Sequence, residues 1–191
     1  HWGATTQDIM DTATVLQVRE SLSLIEKDLA ELDQILDRLA LEYRDAPMAG
    51  RTHLQHALPI TFGYKVSVWL LMIRRHRERL NQLKPRVLVG QFGGAAGTLA
   101  SLGDQGLDVH AALMRELKLE ASPVTWHVAR DGLTETVQFL ALVTGSLGKI
   151  ALDVMLMMTN ELAEAFEPFV KGRGASSTMP QKRNPISCEL M

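Results

Sequence analysis

The sequence is poor in cysteine and in net charge. Its 191 residues include a single cysteine, Cys188, which excludes an internal disulfide framework and fits the reducing environment of the cytoplasm. The formal net charge is only −2, while apolar residues make up 46% of the chain. This composition excludes a disordered chain or a charged tail that binds nucleic acid or membrane. We therefore expect a cytoplasmic globular domain with a substantial core.

Signatures of metal and nucleotide sites are also missing. The six histidines and the one cysteine are scattered without the spacing of metal ligands. The glycine-rich stretch 90–97 lacks the Lys-Ser/Thr pair of a phosphate-binding loop and follows a predicted helix. No charged and then apolar leader opens the sequence, and the most apolar stretch, 139–158, is interrupted by Lys149 and Asp153. We expect neither metal nor cofactor, and a buried bundle helix rather than a membrane span.

Long helices with a heptad pattern dominate the sequence. Apolar side chains between residues 12 and 44 recur at alternating steps of three and four, which predicts a helix about 50 Å long. They are Val15, Val18, Leu22, Ile25, Leu29, Leu32, Leu36, Leu39 and Tyr43. Further helices are predicted at 59–84, 104–118 and 131–167, the first and last of these ended by a proline. Because no alternating strand pattern is visible, we expect an all-α fold.

Two of the predicted helices are apolar on nearly every side. They are the middle of the 59–84 helix and the 139–158 part of the last helix, and such helices must be surrounded by other helices. One short chain can hardly surround both, so we expect burial between subunits. The sequence begins inside a polar, motif-like segment and stops just as a new helical pattern begins after Pro185. We therefore expect residues 1–191 to form one domain, the central helical bundle of a longer polypeptide.

Non-periodic segments between the helices hold most of the unusual chemistry. These segments are 1–11, 48–59, 90–103, 122–131 and 171–185. The last long helix separates the final two by about 50 Å if it is straight. Antiparallel packing of several copies would bring segments from different subunits together. The sequence therefore predicts a site shared between subunits.

The segment 171–185, KGRGASSTMPQKRNP, has the composition of a mobile catalytic loop. Two glycines allow movement, the adjacent hydroxyls of Ser176 and Ser177 follow them, and Lys182 comes shortly after. A serine acts as a base only if its alkoxide is stabilised by cations, backbone N–H groups or a helix N-terminus. Lys182 and the helix predicted after Pro185 are suitable. The alternative is a basic, solvated loop with ordinary turn residues.

Three motifs carry a family resemblance. SSTMPQKRNP resembles the pattern G-S-S-x-M-P-x-K-x-N of the fumarase/aspartase superfamily, with Ala175 at the leading glycine. HWGATTQDIMDT at 1–12 resembles its T-S-x-D segment, with Thr6 at the serine, and MAGRTHLQHALP at 48–59 resembles its G-R-T-H-x-Q segment. The motifs occur in the family's order and cover nearly the whole chain. The resemblance implies a helical bundle in a homotetramer, with three subunits building each active site around a small polycarboxylate substrate.

The resemblance also implies roles for individual residues. Enzymes of this superfamily remove a proton next to a carboxylate and expel a group from the adjacent carbon, or run the reaction backwards. By the resemblance Ser176 is the catalytic base and His53 an active-site histidine. The implied substrate-binding residues are Thr5, Thr6, Gln7, Arg51, Thr52, Gln55, Ser177, Lys182 and Asn184. For Thr5, Thr6 and Gln7 the alternative is an N-terminal cap region ahead of the long helix, in which Asp8 or Asp11 only caps. Ser177 equally fits a structural role.

Two further stretches favour one branch of the superfamily. QFGGAAGTLASLGD at 91–104 resembles bacterial 3-carboxy-cis,cis-muconate cycloisomerases, and so does the stretch 126–131. His127 and Arg130 are then further substrate-binding candidates, with packing and a local salt bridge to the next residue as their alternative. An adenylosuccinate-type lyase stays open, because His53 suits a reaction that needs an acid at its leaving group. A non-catalytic helical assembly protein is the third hypothesis.

Overall fold

Helices make up most of the structure. The computed structural model describes residues 2–168, 170 and 172–191, so that His1, Phe169 and the predicted first loop residue, Lys171, lie outside the described residues. The helices are α1 (Thr6–Glu42), α2 (Phe62–Val87), α3 (Gly106–Leu117), α4 (Asp131–Met157) and α5 (Ile186–Glu189). The strands are β1 (Pro47–Thr52), β2 (Gln55–Thr61), β3 (Val89–Gly90) and β4 (Glu120–Ala121), and a 3-10 helix, Ala100–Gln105, precedes α3.

The first helix is the predicted heptad helix. One line of its seam is buried, with every seventh side chain at most 5% exposed: Val15, Leu22, Leu29 and Leu36. The other line of the seam is only half-buried: Val18, Ile25, Leu32 and Leu39. The heptad therefore serves one helix contact within this chain, and a second apolar line stays partly open.

The partner of α1 is α2, which runs antiparallel to it and carries a heptad line of its own. Val66, Ile73, Leu80 and Val87 are seven residues apart and at most 5% exposed. Ion pairs flank this line: Arg74 Nε lies 3.2 Å from Asp33 Oδ1, and Lys84 Nζ lies 2.5 Å from Glu26 Oε2. Each fully buried leucine, isoleucine or valine contributes about 1.5–3 kcal/mol. The two helices thus form a rod with a continuous apolar seam.

A β-hairpin between α1 and α2 corrects the all-α prediction. Strands β1 and β2 are antiparallel, with a bulge between Ala49 and Arg51. The predicted helix start at Pro59 is wrong because this residue lies in β2. α2 also continues past Pro85 to Val87, since the N–H of Leu88 still bonds the carbonyl of Lys84 at 3.0 Å. The fold is mostly helical rather than all-α.

The last long helix ends ten residues before the predicted end at residue 167. α4 stops at Met157, where the hydroxyl of Thr159 donates to the carbonyl of Leu156 at 2.9 Å. Ala163 then adopts a left-handed φ of 50°, and the N–H of Glu164 bonds the carbonyl of Met157 at 2.9 Å. The helix therefore ends because a side chain competes for a helix carbonyl and the chain makes a left-handed turn. Neither feature interrupts the apolar pattern on which the predicted end was based.

The chain divides into two compact units, His1–Phe139 and Leu140–Met191. The first contains the α1–α2 rod and a second apolar cluster under the glycine-rich stretch. That cluster consists of Val15, Phe92, Leu99, Met114 and Leu119. The second unit contains α4 from Leu140 onward, the segment that follows it and α5. The prediction of one domain over 1–191 stays a prediction.

Apolar side chains remain exposed on α4. Val137, Leu142 and Leu152 are all more than half exposed, as expected for a helix that needs further partners. By length and composition alone α4 could also cross a membrane. An ion pair between Lys149 and Asp153 lies within it, and charges in a membrane span are costly.

Candidate active site

A buried carboxylate, Asp8, organises the first turn of α1. Its side chain is fully shielded from solvent. It accepts backbone hydrogen bonds from Thr5 at 2.9 Å, Gly94 at 2.9 Å and Gly93 at 3.0 Å. The Nε2 atom of His127 lies 2.6 Å from Asp8 Oδ1. One side chain thus joins three segments that are far apart in the sequence.

These contacts keep Asp8 ionised. Burial on its own would raise the pKa of Asp8, but the hydrogen bonds from the Thr5 and Gly94 backbone, the His127 ring and the Gly93 backbone outweigh it. The pKa is therefore lowered from its ordinary 3.8. An ionised carboxylate can only accept hydrogen bonds, so the Nε2 atom of His127 must carry the hydrogen.

A second carboxylate, Asp11, lies one turn further along α1. The guanidinium of Arg130 makes a bidentate contact with it, with N–O distances of 2.9 and 3.0 Å. The amide of Gln7 donates to Asp11 at 3.3 Å and to the carbonyl of His127 at 2.8 Å. Arg130 also lies over the ring of Trp126, at 5.6 Å. The alternative of a local salt bridge at Arg130 is wrong, because its partner is 119 residues away.

Five predicted substrate-binding residues meet at the N-terminus of α1. Thr5 precedes the helix, and Thr6 and Gln7 open it with exposed side chains. His127 and Arg130 reach them through the contacts of Asp8, Asp11 and Gln7. A helix N-terminus carries partial positive charge, which favours an anion. Hydroxyl and guanidinium donors therefore lie around a suitable position for a carboxylate, whereas the Gln7 amide is already engaged by Asp11 and the His127 carbonyl. The residues' roles stay predictions.

The glycine-rich stretch supports this cluster. Gly94 has a φ of +75°, which places its N–H against Asp8 in a conformation that glycine adopts readily. The buried amide of Gln91 accepts the N–H of Trp126 at 3.0 Å, and the indole N–H of Trp126 donates to the carbonyl of Gly90 at 3.1 Å. These bonds hold the backbone next to His127. The stretch is thus a support for the cluster.

The alternative in which Asp8 or Asp11 only caps the helix is too narrow. Asp8 does accept the N–H of Thr5, as a cap does. The spacing of three residues between Thr5 and Asp8 is the sequence signal of a capping box. No local signal announces the contacts to His127 and Arg130, because these residues come more than a hundred positions later. The two carboxylates are the residues of this cluster that sequence reasoning missed.

The hairpin presents the second group of predicted residues. Its loop is the pair His53 and Leu54, with φ values of 50° and 62°. Positive φ at both loop residues is the pattern of a type I′ turn, in which glycine and asparagine are preferred. Histidine and leucine are strained there, and such strain is concentrated at functional sites. His53 is exposed at the hairpin tip.

The neighbours of His53 lie along the same hairpin. Thr52 and Gln55 face each other as a cross-strand pair, and Arg51 pairs with His56. A nitrogen of the Arg51 guanidinium lies 3.4 Å from His56 Nε2. The structure therefore brings Arg51, Thr52, His53 and Gln55 together at one exposed tip.

The length of α1 separates the hairpin from the cluster at its N-terminus. The helix has 37 residues, which correspond to about 55 Å. Thr6 lies at one end, and the hairpin follows the other end. Within the first unit, the structure therefore does not bring the two groups of predicted residues together. A site that uses both needs residues from more than one copy of the chain.

The predicted base, Ser176, lies in the second unit on the segment before α5. Its Oγ accepts the backbone N–H of Met179 at 3.0 Å and of Thr178 at 3.3 Å. The Thr178 hydroxyl lies 3.5 Å away. Backbone N–H groups that point at an oxygen are suited to stabilise negative charge there. Ser177 is exposed beside this cradle.

Alanine in place of the family's glycine causes no strain in this segment. Gly174 has the left-handed φ of +72°, and Ala175 does not. Ala175 pairs with Arg183 in a short bridge, and the N–H of Asn184 bonds the carbonyl of Gly174 at 3.0 Å. These contacts close the segment on itself, so that the two ends of the motif are neighbours.

A cleft of about 340 Å³ opens beside this bridge. Its polar lining includes Glu167, Arg173, Lys182, Arg183 and Asn184. Lys182 and Asn184, the predicted carboxylate-binding residues, thus border one cavity. The lining has three cationic side chains and one carboxylate, and its net positive charge favours an anion.

The one acidic group of this lining, Glu167, accepts hydrogen bonds from the backbone of α5. Its carboxylate accepts the backbone N–H groups of Ser187 at 3.0 Å and Cys188 at 2.8 Å. Burial on its own would raise the pKa of Glu167, but these hydrogen bonds outweigh it and lower the pKa. Burial, followed by the nearby Glu167 carboxylate, raises the pKa of the Cys188 thiol to about 11. Cys188 is therefore not a nucleophile at neutral pH.

Three histidines outside the motifs, His56, His76 and His110, are packing or surface residues. His76 and His110 are buried, and His56 is exposed. Burial, followed by the charges of Arg79 and Arg75, lowers the pKa of His76. Its ring contacts Phe139 edge-on at 6.4 Å.

Known proteins resemble the chain over its whole length. The profile of the family described as "Lyase" matches residues 1–191. The 3-carboxy-cis,cis-muconate cycloisomerase of Pseudomonas aeruginosa is 53% identical over 100% of this chain and 42% of its own. The trans-aconitate decarboxylase 1 of Mycosarcoma maydis is 52% identical over 98% of this chain and 38% of its own. The adenylosuccinate lyase of Pyrococcus abyssi is 48% identical over 99% of this chain and 42% of its own.

A solved structure shows the same fold. The 3-carboxy-cis,cis-muconate lactonizing enzyme of Pseudomonas putida superposes with a TM-score of 0.94 at 50% identity, over 100% of this chain and 42% of that one. The fold is thus that of a mostly helical lyase. The chain belongs to the lyase family of the fumarase/aspartase superfamily. It resembles carboxymuconate cycloisomerases within that superfamily and spans about two fifths of the length of the curated relatives that it matches.

Proposed function

We propose that the full-length protein converts 3-carboxy-cis,cis-muconate into a carboxymuconolactone, with Ser176 as the proton-transferring group. The observation that carries this proposal is the cradle around Ser176 Oγ, which the N–H groups of Thr178 and Met179 form. A serine hydroxyl is a weak acid, so its alkoxide, the form that acts as a base, is scarce at neutral pH. Two aligned donors favour its alkoxide, the form that proton transfer from carbon requires.

The reaction uses one proton and one carboxylate of the substrate. In lactone formation a carboxylate oxygen bonds to one carbon of a double bond, and the Ser176 hydroxyl gives its proton to the neighbouring carbon. The alkoxide that remains is held by the two N–H groups and is reprotonated from water. The reverse direction is a β-elimination with a carboxylate leaving group. No metal or cofactor takes part in this proposal.

The substrate's carboxylates need donors from separate parts of the fold. We assign one carboxylate to the cluster at the N-terminus of α1 and another to Lys182 and Asn184 at the cleft. The hairpin residues Arg51, Thr52, His53 and Gln55 complete the set. Because α1 separates the hairpin from the cluster by about 55 Å, the proposal includes a homotetramer whose sites are shared between subunits. The half-buried line of α1 and the exposed apolar side chains of α4 support subunit contacts. The proposed location is the cytoplasm.

The second candidate is an adenylosuccinate-type elimination. A lyase that expels an amine needs an acid at the leaving nitrogen, and His53 at the strained hairpin tip can supply it. A carboxylate is a far better leaving group and needs no such acid. A relative of this kind is among those that the chain resembles.

The test follows the conjugated-diene absorbance of 3-carboxy-cis,cis-muconate with the full-length protein, and adenylosuccinate in a parallel assay. We expect loss of the diene signal, and a fall in kcat of at least about a hundredfold in Ser176→Ala, the range of a lost acid–base group. Ser23→Ala, on the exposed side of α1, is the matched serine control and should keep full activity. Far-UV circular dichroism and the mass of the assembly should not change.

Two outcomes contradict the proposal. Turnover retained in Ser176→Ala would remove the assignment of the base while leaving the substrate in place. Turnover of adenylosuccinate alone would replace the cycloisomerase by the second candidate.

A further inference from the structure

We propose that Arg183 binds the 3-carboxy group of the substrate and makes the site selective for a tricarboxylate over a dicarboxylate. This rests on the proposed function, which assigns one carboxylate to the cluster at the N-terminus of α1 and another to Lys182 and Asn184. The third carboxylate of the proposed substrate has no partner in that assignment. The motif G-S-S-x-M-P-x-K-x-N leaves the position of Arg183 open.

Arg183 lies on the wall of two neighbouring clefts. It borders the cleft of about 340 Å³ together with Lys182 and Asn184. It also borders a second cleft of about 560 Å³, whose lining includes three methionines, and Lys182 borders that cleft as well. A ligand bound at Lys182 can therefore also meet Arg183, and its carbon skeleton can pack against the adaptable methionine side chains.

The guanidinium of Arg183 keeps its hydrogen-bonding capacity. Its contacts among the residues that the structure describes are a backbone pairing with Ala175 and the ring of Phe166, whose centroid lies 5.6 Å from Cζ. Neither contact gives its N–H groups an acceptor, and a guanidinium has five of them. Its donors are therefore available to a carboxylate of a ligand.

Two features hold Arg183 in place. The pairing with Ala175 fixes its backbone, and the Phe166 ring restrains the guanidinium through a cation–π contact. Arg173, another cation of the smaller cleft, has no such ring within the described part of the chain. A restrained guanidinium loses less freedom on binding, and its planar fork matches both oxygens of a carboxylate. Arg183 is therefore the better candidate of the two.

The charges around the clefts favour a second carboxylate of the same ligand. The acidic side chains of the two linings are Glu167 and Glu161. Glu167 is engaged by two backbone N–H groups of α5, and Glu161 borders only the larger cleft. One ligand carboxylate at Lys182 leaves both guanidinium groups of the smaller cleft without an anion. A further carboxylate of the ligand would be neutralised there.

Calorimetric titration of the full-length protein with two unreactive acids tests this role without turnover. Tricarballylate is glutarate with a carboxylate on its central carbon, so the pair isolates one group. We expect the parent protein to bind tricarballylate about 10- to 100-fold more tightly than glutarate, the range of one hydrogen-bonded charge. Arg183→Met should bring the affinity for tricarballylate down to that for glutarate. Unchanged binding of glutarate would show that this variant is folded.

Further variants separate Arg183 from its neighbours. Arg183→Lys keeps the charge without the bidentate geometry and should keep only part of the preference. Lys182→Met should weaken both acids alike, because both carry the carboxylate assigned to it. Arg115→Met, exposed on α3, is the matched control and should change neither affinity. The proposal is overturned by a parent protein without preference, by an equal loss of both acids in Arg183→Met, or by a preference lost only in Arg173→Met.

The second test uses turnover and separates this inference from the proposed function. cis,cis-Muconate is the proposed substrate without its 3-carboxy group, and it serves here as a competitive inhibitor. In Arg183→Met the KM for the substrate should rise by about 10- to 100-fold with little change in kcat, while the inhibition constant of cis,cis-muconate should stay the same. An equal rise in both constants would contradict the assignment. If the parent does not turn over the proposed substrate, the proposed function fails, and the calorimetric comparison still decides the role of Arg183.

Discussion

The ion pair between Asp11 and Arg130 joins a buried side chain to a half-exposed one. Removing one or the other should therefore change the free energy of unfolding by different amounts. Both Asp11→Ala and Arg130→Ala break the same contact. The Asp11 side chain is 8% exposed, and the Arg130 side chain is 45% exposed. We expect the loss of the arginine to cost more, because it strands the buried member of the pair.

The structure sets the sizes of the two effects. In Arg130→Ala the Asp11 carboxylate keeps, among the described side chains, only the Gln7 amide as a donor, at 3.3 Å. A buried charge without its partner costs about 3 kcal/mol, at the low end of the range because the site lies near the surface. In Asp11→Ala the half-exposed guanidinium of Arg130 is hydrated where it lies over Trp126, so the loss is about 1 kcal/mol. The difference is about 2 kcal/mol in the free energy of unfolding.

Urea unfolding of the full-length variants measures this difference. Tryptophan fluorescence, to which Trp126 at the site contributes together with Trp2 and Trp69, follows the unfolding. All variants are compared at one protein concentration because subunit assembly shifts apparent stability. The adjacent pair Arg44 and Asp45, with side chains 73% and 85% exposed, is the control and should show no measurable coupling. An equal or larger loss in Asp11→Ala would refute the argument from burial.

Three further predictions concern the core, the pH dependence and the thiol. Leu22→Ala should cost about 3 kcal/mol in urea unfolding, whereas Leu24→Ala, 66% exposed on the same helix, should stay within about 0.5 kcal/mol. Because the folded state lowers the pKa of Asp8 from 3.8, its contribution to stability is complete above about pH 4 and is lost as pH falls further. The urea midpoint of the parent should therefore fall more steeply with acid than that of Asp8→Asn, and equal slopes would contradict this. With a pKa of about 11, Cys188 should react with iodoacetamide at pH 8 roughly a hundredfold more slowly than in the unfolded chain. Glu167→Gln should speed that reaction, and rates equal to the parent's would remove the carboxylate as a cause.

The sequence predicted the helices well where a period of seven coincides with burial. Val15, Leu22, Leu29 and Leu36 form the buried seam of α1, and the heptad announces them. The sequence pattern failed to predict the hairpin, because β2 is largely exposed, β1 buries only Gly50, and neither strand carries an alternation of apolar and polar residues. A strand without a buried face leaves no periodic signal.

The candidate site shows the same division. Motif spacing was enough to select Ser176, Lys182 and Asn184, which the structure places on one segment. The roles of Asp8 and Asp11 could not be predicted in the same way. Their partners are set by the path of the chain between α1 and α4, and no local pattern encodes such contacts. The strained tip at His53 was equally invisible, since left-handed φ values have no signature when the residues are not glycine or asparagine.

The contact between Asp8 and His127 also bears on the order in which the protein folds. It closes a loop of 119 residues, whereas α1 and α2 are joined by a short hairpin and can pair early. Chain entropy delays contacts of large sequence separation. We therefore expect the α1–α2 rod to form in the first kinetic phase of refolding, and the cluster around Asp8 to form in a later one. Newly synthesised chains would then pass through a helical state in which the N-terminus of α1 is not yet joined to His127 and Arg130.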